Sequence, residues 1–128
     1  MRLFRRTAQP LGRRGENAAV WHLRRRGYRI LERNARFGEY EIDVIARRGD
    51  TVCFVEVKTR AGDDYALPEE SVTRTKRRHI RQAAHRYIAR TGSGSGLYYR
   101  FDVASVVISE RGKASVTLYP NAFDDDDR

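Results

Sequence analysis

Between residues 40 and 60 the chain sets Glu41, Asp43, Glu56 and Lys58 among Val, Ile and Phe. Two strands split by Gly49-Asp50 would make this segment a tight hairpin. A two-residue loop makes Arg48 face Thr51, which puts Asp43 opposite Glu56 and Glu41 opposite Lys58. Strand alternation places Glu41, Asp43 and Ile45 on one face and Ile42, Val44 and Ala46 on the other; it groups Phe54 with Glu56 and Lys58. Directly opposed carboxylates have Cβ atoms about 4.5–5.5 Å apart and repel one another. A shared proton, a nearby lysine or a divalent cation would offset that repulsion. Carboxylate oxygens with no histidine or cysteine partner favour Mg²⁺ or Mn²⁺ over zinc. The plain alternative is an ordinary cross-strand charge pair on a wet sheet face.

Two helical positions add to the set. With roughly 100° of turn per residue, Ala19, Val20 and Leu23 all fall within about 60° of Glu16, so Glu16 lies in the apolar stripe of its helix. Its alternative role is to complement the dipole in a first helical turn. Lys76 likewise sits among Val72, Ile80, Ala83 and Tyr87, where it would otherwise snorkel. Placed together, these residues form an acid-rich pocket with two lysines. Metal-assisted phosphodiester hydrolysis needs such a pocket: carboxylates hold a cation that polarises phosphate and acidifies a water, and a lysine stabilises the developing charge.

The elements that must position this pocket are few. The chain has 128 residues, enough for one domain, and a net charge of +9. The longest apolar runs, 18–21 and 52–55, are four residues each, too short to span a membrane. Cys53 is the only cysteine, which excludes an internal disulfide and fits a reducing, cytoplasmic setting. The pattern predicts a helix over 15–26, strands over 28–33, 40–47 and 51–59, and a turn over 34–38. A loop follows over 60–70, then a helix over 71–90, a flexible link over 92–96, and strands over 98–108 and 114–119. The order α-β-β-β-α-β-β implies an α/β domain with a mixed sheet flanked by helices. Residues 1–12 read as a basic arm, 13–123 as the single domain and 124–128 as an acidic tail.

The charge is uneven. Residues 1–36 hold eleven Arg and two acids, and Arg74 to Arg90 carries seven bases and no acid. Two basic blocks on a small domain point to a polyanion, with nucleic acid the commonest. The candidate phosphate contacts are Arg13, Arg14, Arg60, Arg74, Arg77, Arg78 and Arg81. Arg outnumbers Lys by 23 to three, and two of the three lysines, Lys58 and Lys76, fall at the pocket.

Several blocks together resemble a known family. They are Gly12-x-x-Gly15-Glu16, Gly38 to Ala46, Val52 to Arg60, Ser71-Val72-Thr73-Arg74-x-Lys76, Arg100 to Val103, and Asn121-Ala122-Phe123. Over residues 12–123 the chain resembles the YraN-like family of the PD-(D/E)XK nuclease superfamily, which is akin to archaeal Holliday junction resolvases. The resemblance implies a restriction-endonuclease-like core. It makes Glu16 the helical acid, Asp43 the central metal ligand, Glu56 the second ligand and Lys58 the catalytic lysine. Lys76 matches an additional family position, and the Val57 carbonyl becomes a further metal ligand. The strand before Asp43 lacks the superfamily's Pro-Asp.

The leading expectation is therefore a Mg²⁺- or Mn²⁺-dependent endonuclease acting on DNA, branched or junction DNA included, working as a C₂ homodimer. The alternatives are a non-catalytic nucleic-acid-binding module on the same fold and an adaptor for an acidic partner. His22, His79 and His85 have no useful ligand spacing and read as surface or interface residues. Trp21 would pack under the arm or line an interface, Cys53 would fill the core, and Asp102 would pair with Arg100.

Overall fold

A computed structural model of the chain describes residues 10–62, 72–91 and 96–123. Its elements are α1 (Leu11–Arg25), β1 (Arg29–Phe37), β2 (Tyr40–Arg48), β3 (Thr51–Ala61), α2 (Arg74–Thr91), β4 (Tyr98–Ile108) and β5 (Ala114–Phe123). This is the α-β-β-β-α-β-β order predicted above. The five strands form one sheet in the order β1-β2-β3-β4-β5. β3 and β4 run parallel and the other neighbours antiparallel, so the sheet is mixed. The architecture is compatible with a restriction-endonuclease-like core.

Each helix covers one face of the sheet. Ala19, Val20 and Leu23 of α1 pack on Val44, Ala46, Cys53, Val55, Ala104 and Val106. Ile80, Ala83, Ala84 and Tyr87 of α2 pack on Ile42, Ile45, Phe54, Phe101 and Val103. Cys53 and Phe54 are adjacent in sequence and fully buried in opposite layers, which is strand alternation with both sides covered. Burial pushes the Cys53 thiol up to about 12, so it behaves as a small core residue.

Gly38-Glu39 and Gly49-Asp50 close the β1–β2 and β2–β3 hairpins, since Phe37 pairs with Tyr40 and Arg48 with Thr51. Each turn opens on a glycine at positive φ, 66° and 61°, which suits a two-residue loop between twisted strands. The structure shifts several predicted boundaries. Helix α1 starts at Leu11, four residues early, because Pro10 is compatible with a helix start and the Arg14 N–H reaches its carbonyl at 3.1 Å. The last two residues of the predicted arm are thus helical. Strand β1 runs on through the predicted 34–38 turn, with Asn34 taking φ 50° inside it. Strand β5 continues past Tyr119 to Phe123. Helix α2 begins at Arg74, where Thr73 Oγ1 accepts the Lys76 N–H at 3.1 Å. Most of the arm (1–9), most of the 60–70 loop, Ser71, most of the 92–96 link and the acidic tail lie outside the described residues.

Both outermost strands are irregular. In β1 the register with β2 slips between Ile30 and Glu32. In β5 the register with β4 slips between Phe101 and Val103, and Asn121 has φ 56°. At that second slip stands Asp102, fully buried. Arg100 clasps it through Nε to Oδ1 and Nη2 to Oδ2, both 2.9 Å, and the Asn121 N–H donates to Oδ1 at 3.0 Å. The expected Asp102–Arg100 pair is therefore present. Among the described residues no helix is long and apolar enough to cross a membrane.

Candidate functional site

The predicted hairpin register holds from Arg48↔Thr51 to Val44↔Val55 and then the ladder stops. The expected Asp43–Glu56 and Glu41–Lys58 strand pairs are not made. Instead the Val57 N–H donates to Asp43 Oδ2 at 2.8 Å. Alternation breaks at the same place: Ile42 and Ile45 share the layer under α2, whereas Val44 and Ala46 share the layer under α1. The expected grouping of Glu41, Asp43 and Ile45 on one face is therefore corrected. A carboxylate that takes over a ladder hydrogen bond replaces regular pleating with a local twist.

Asp43, Glu41 and Glu16 line a cavity of about 290 Å³ with Gly12, Asn34, Val57 and Thr59. Glu16 is nearly buried, with its side chain 14% exposed. Its Oε1 accepts from Asn34 Nδ2 at 2.9 Å and Arg33 Nη2 at 3.1 Å. The left-handed Asn34 thus serves to hold the helical acid, a use its turn propensity did not reveal.

Gly15 brings that acid over the sheet. A Cβ there would overlap the Thr59 side chain, so only glycine lets α1 lie this close to β3. Gly12 has open space around it. Gly15→Ala should destabilise the protein by about 1–3 kcal/mol through overpacking. Gly12→Ala should stabilise it by about 0.5–1 kcal/mol through helix propensity. Urea unfolding of the two variants checks the opposite signs.

Glu56 is buried at 6% exposure. Its Oε1 has no hydrogen-bond partner among the described residues, and its Oε2 lies 3.7 Å from Lys76 Nζ. Lys76 therefore faces the acids, with 44% of its side chain still exposed. Burial first and the Asp43 charge second push the Glu56 carboxyl up to about 8, against the pull of Lys76 and Lys58. Burial also raises Asp43, and the Val57 N–H, a hydrogen bond with Glu56 and the Lys76 charge hold it back. At neutral pH the two carboxyls consequently share a proton.

This has a consequence for stability. Unfolded, Glu56 ionises near 4.5; folded and free of metal, near 8. Between these values the folded state keeps a proton that the unfolded state has released, so stability falls as pH rises through the window and levels off above it. The expected loss is on the order of 3 kcal/mol. Glu56→Gln should flatten the decline and melt higher than the wild type at pH 8.5, as thermal melts in a chelating buffer would read.

The residues present fit a hard divalent cation. Two carboxylates stand together, and Glu56 Oε1 is a buried acceptor with no donor. Val57 lines the cavity beside Asp43. Among the described residues no three His, Cys, Asp or Glu side chains gather tightly enough to ligate by themselves. Mg²⁺ suits that economy, since it takes one or two carboxylates and keeps several waters.

The expected phosphate contacts divide. Arg13, Arg74 and Arg78 are exposed, whereas Arg77 and Arg81 are half-buried on α2. Arg14 Nη2 is tied to the Gly112 carbonyl at 3.1 Å. Arg60 is buried at 7% exposure. His79 packs on Tyr40 with the rings tilted by 31° and their centroids 4.6 Å apart, and Trp21 is 62% exposed.

The model of the uncharacterised protein family UPF0102 matches residues 15–106. The chain belongs to the UPF0102 family. Among its UPF0102 relatives, the protein from Symbiobacterium thermophilum is 45% identical over 113 residues, 88% of this chain and 95% of the relative. That from Caldicellulosiruptor saccharolyticus is 40% identical over 114 residues, 88% and 96% of the two chains. That from Chlorobaculum tepidum is 44% identical over 111 residues, 87% and 85%. The YraN-like resemblance read from the motif blocks is this same family. The UPF0102 match begins at Gly15 and encloses Glu16, Asp43, Glu56, Lys58 and Lys76.

Proposed function

We propose that the protein is a Mg²⁺- or Mn²⁺-dependent endonuclease that hydrolyses phosphodiester bonds in DNA, with branched or four-way junction DNA as the preferred form. One observation carries the reading: Glu56 is buried against Asp43 with Oε1 unpartnered among the described residues. Two buried carboxyls in contact are unfavourable as a pair of anions, so they hold either a shared proton or a cation between them. The resemblance to PD-(D/E)XK nucleases supplies the chemistry that this arrangement would serve.

In this reading Asp43, Glu56 and the Val57 carbonyl hold the cation. When bound, it polarises the scissile phosphate and lowers the pKa of a water. Lys58 lies one residue beyond Val57 and places its ammonium where charge builds on the phosphate. Glu16 is fixed by Arg33 and Asn34 and orients water on the open side of the cavity. Lys76 holds the Glu56 side of the pair and tempers its repulsion. Exposed Arg13, Arg74 and Arg78 supply phosphate contacts.

The test is cleavage of four-way junction, flap, single-stranded and linear DNA with Mg²⁺ or Mn²⁺, beside calorimetry of the metals alone. Metal uptake and nicking of at least one substrate are expected. DNA binding with neither metal uptake nor cleavage would leave a nucleic-acid-binding module in place of the enzyme. Affinity for DNA that ignores salt would count against both.

A further inference from the structure

A second cavity, of about 410 Å³, opens at the other end of α1 and has no part in the acidic centre. Its charged lining is His22, Arg26, Arg48 and Arg100, with Tyr28 beside them, and none of its lining residues is acidic. Arg26 is the C-cap of α1, ten residues after Glu16 and hence about 15 Å along the helix. The guanidinium groups arrive from three elements: the α1 terminus, β2 and β4.

Two of the three are held in place. Arg100 is clamped by Asp102 and also donates from Nη2 to Tyr28 Oη at 2.8 Å. Its Nη1 has no hydrogen-bond partner among the described residues. Arg48 lies over the Tyr28 ring at 4.5 Å and donates from Nη1 to the Arg26 carbonyl at 3.1 Å. Arg26 reaches His22 Nδ1 at 3.4 Å. Asp102 cancels one of the three positive charges, and two remain.

A helix C-terminus ordinarily repels anions. Here three of the terminal carbonyls are engaged: the N–H groups of Arg26 and Tyr28 go to the Leu23 carbonyl, that of Gly27 goes to Arg24, and Arg48 covers Arg26. The guanidinium groups lining the cavity outnumber the one carboxylate that pairs with them.

We infer that this cavity binds a phosphate monoester, presented by the end of a nucleic-acid strand or by a free nucleotide. Two uncancelled charges match a dianion. Guanidinium groups converging from three elements can surround a tetrahedral group with forked donors. The volume lies in the range of small-ligand sites. The inference does not depend on the metal-centre reading, because it uses none of the same residues.

His22 is the built-in reporter. Burial, then Arg26 and Arg25, lower its pKa, and a bound dianion would raise it again. The experiment follows the His22 ring by NMR in the full chain at constant ionic strength, set with sodium chloride. The probes are inorganic phosphate, thymidine 5′-monophosphate, and one short oligonucleotide with a 5′-phosphate or a 5′-hydroxyl. Saturable shifts are expected with every probe that carries a terminal phosphate. The ratio of the oligonucleotide and mononucleotide affinities then distinguishes the two sources. Arg26→Gln changes only an exposed side chain and should weaken binding about fivefold. The Arg26→Gln/Arg48→Gln pair should weaken it by at least about tenfold. Arg111→Gln, on the exposed turn between β4 and β5, should leave it unchanged. Shifts that never saturate, a 5′-hydroxyl strand that binds as well as the phosphorylated one, or wild-type binding by Arg26→Gln would each overturn the inference.

Discussion

Asp43→Asn is expected to lower metal-dependent DNA cleavage by at least about 10³-fold. The substitution keeps the shape of the side chain and an acceptor for the Val57 N–H, and it removes the charge that would hold the cation. DNA affinity in chelating buffer should stay within about threefold, because phosphate contacts carry nucleic-acid affinity and the exposed arginines are untouched. Lys58→Ala should cost about 10²-fold in rate while sparing metal uptake, since it removes only transition-state stabilisation. Gel cleavage assays beside metal calorimetry separate the two defects. Cutting that survives both changes would place the chemistry elsewhere.

The second large effect is structural. Asp102→Ala should destabilise the protein by about 3–5 kcal/mol, because it leaves the Arg100 guanidinium without its counter-charge and the Asn121 N–H without an acceptor. Adding Arg100→Met should recover part of the loss, since a hydrophobic pair can replace an ion pair of similar volume. Urea unfolding of the single and double variants measures the coupling. Equal stability of Asp102→Ala and the wild type would contradict the description of this cluster.

Local patterning carried much of the fold. The Gly49-Asp50 turn set the β2–β3 register correctly as far as Val44↔Val55, because a two-residue loop leaves little freedom. Wheel positions put Glu16 and Lys76 on inward faces, and the structure brings Glu16 to the Asp43 cavity and Lys76 to Glu56. Reasoning by period failed where a side chain displaced the backbone pattern. The Asp43 carboxylate captured a main-chain donor and ended the ladder, which alternation cannot foresee. Asn34 was read as a turn because its propensity for left-handed backbone does not say what its amide will hold. Gly15 was read as a helix start, although its purpose depends on Thr59, which is distant in sequence. Arg60 is buried, which composition cannot report. The basic cavity was invisible for a related reason: its arginines are spread over residues 26 to 100 and meet only after a helix and three strands assemble.

The slips at both margins of the sheet bear on self-association. An incoming strand from a second copy would meet a broken row of donors and acceptors at Leu31 on one side and near Asn121 on the other. Each slip shortens the regular stretch that a strand could add to, to residues 32–37 of β1 and 114–119 of β5. A continuous ten-stranded pair of these molecules would have to form on one of those two short stretches.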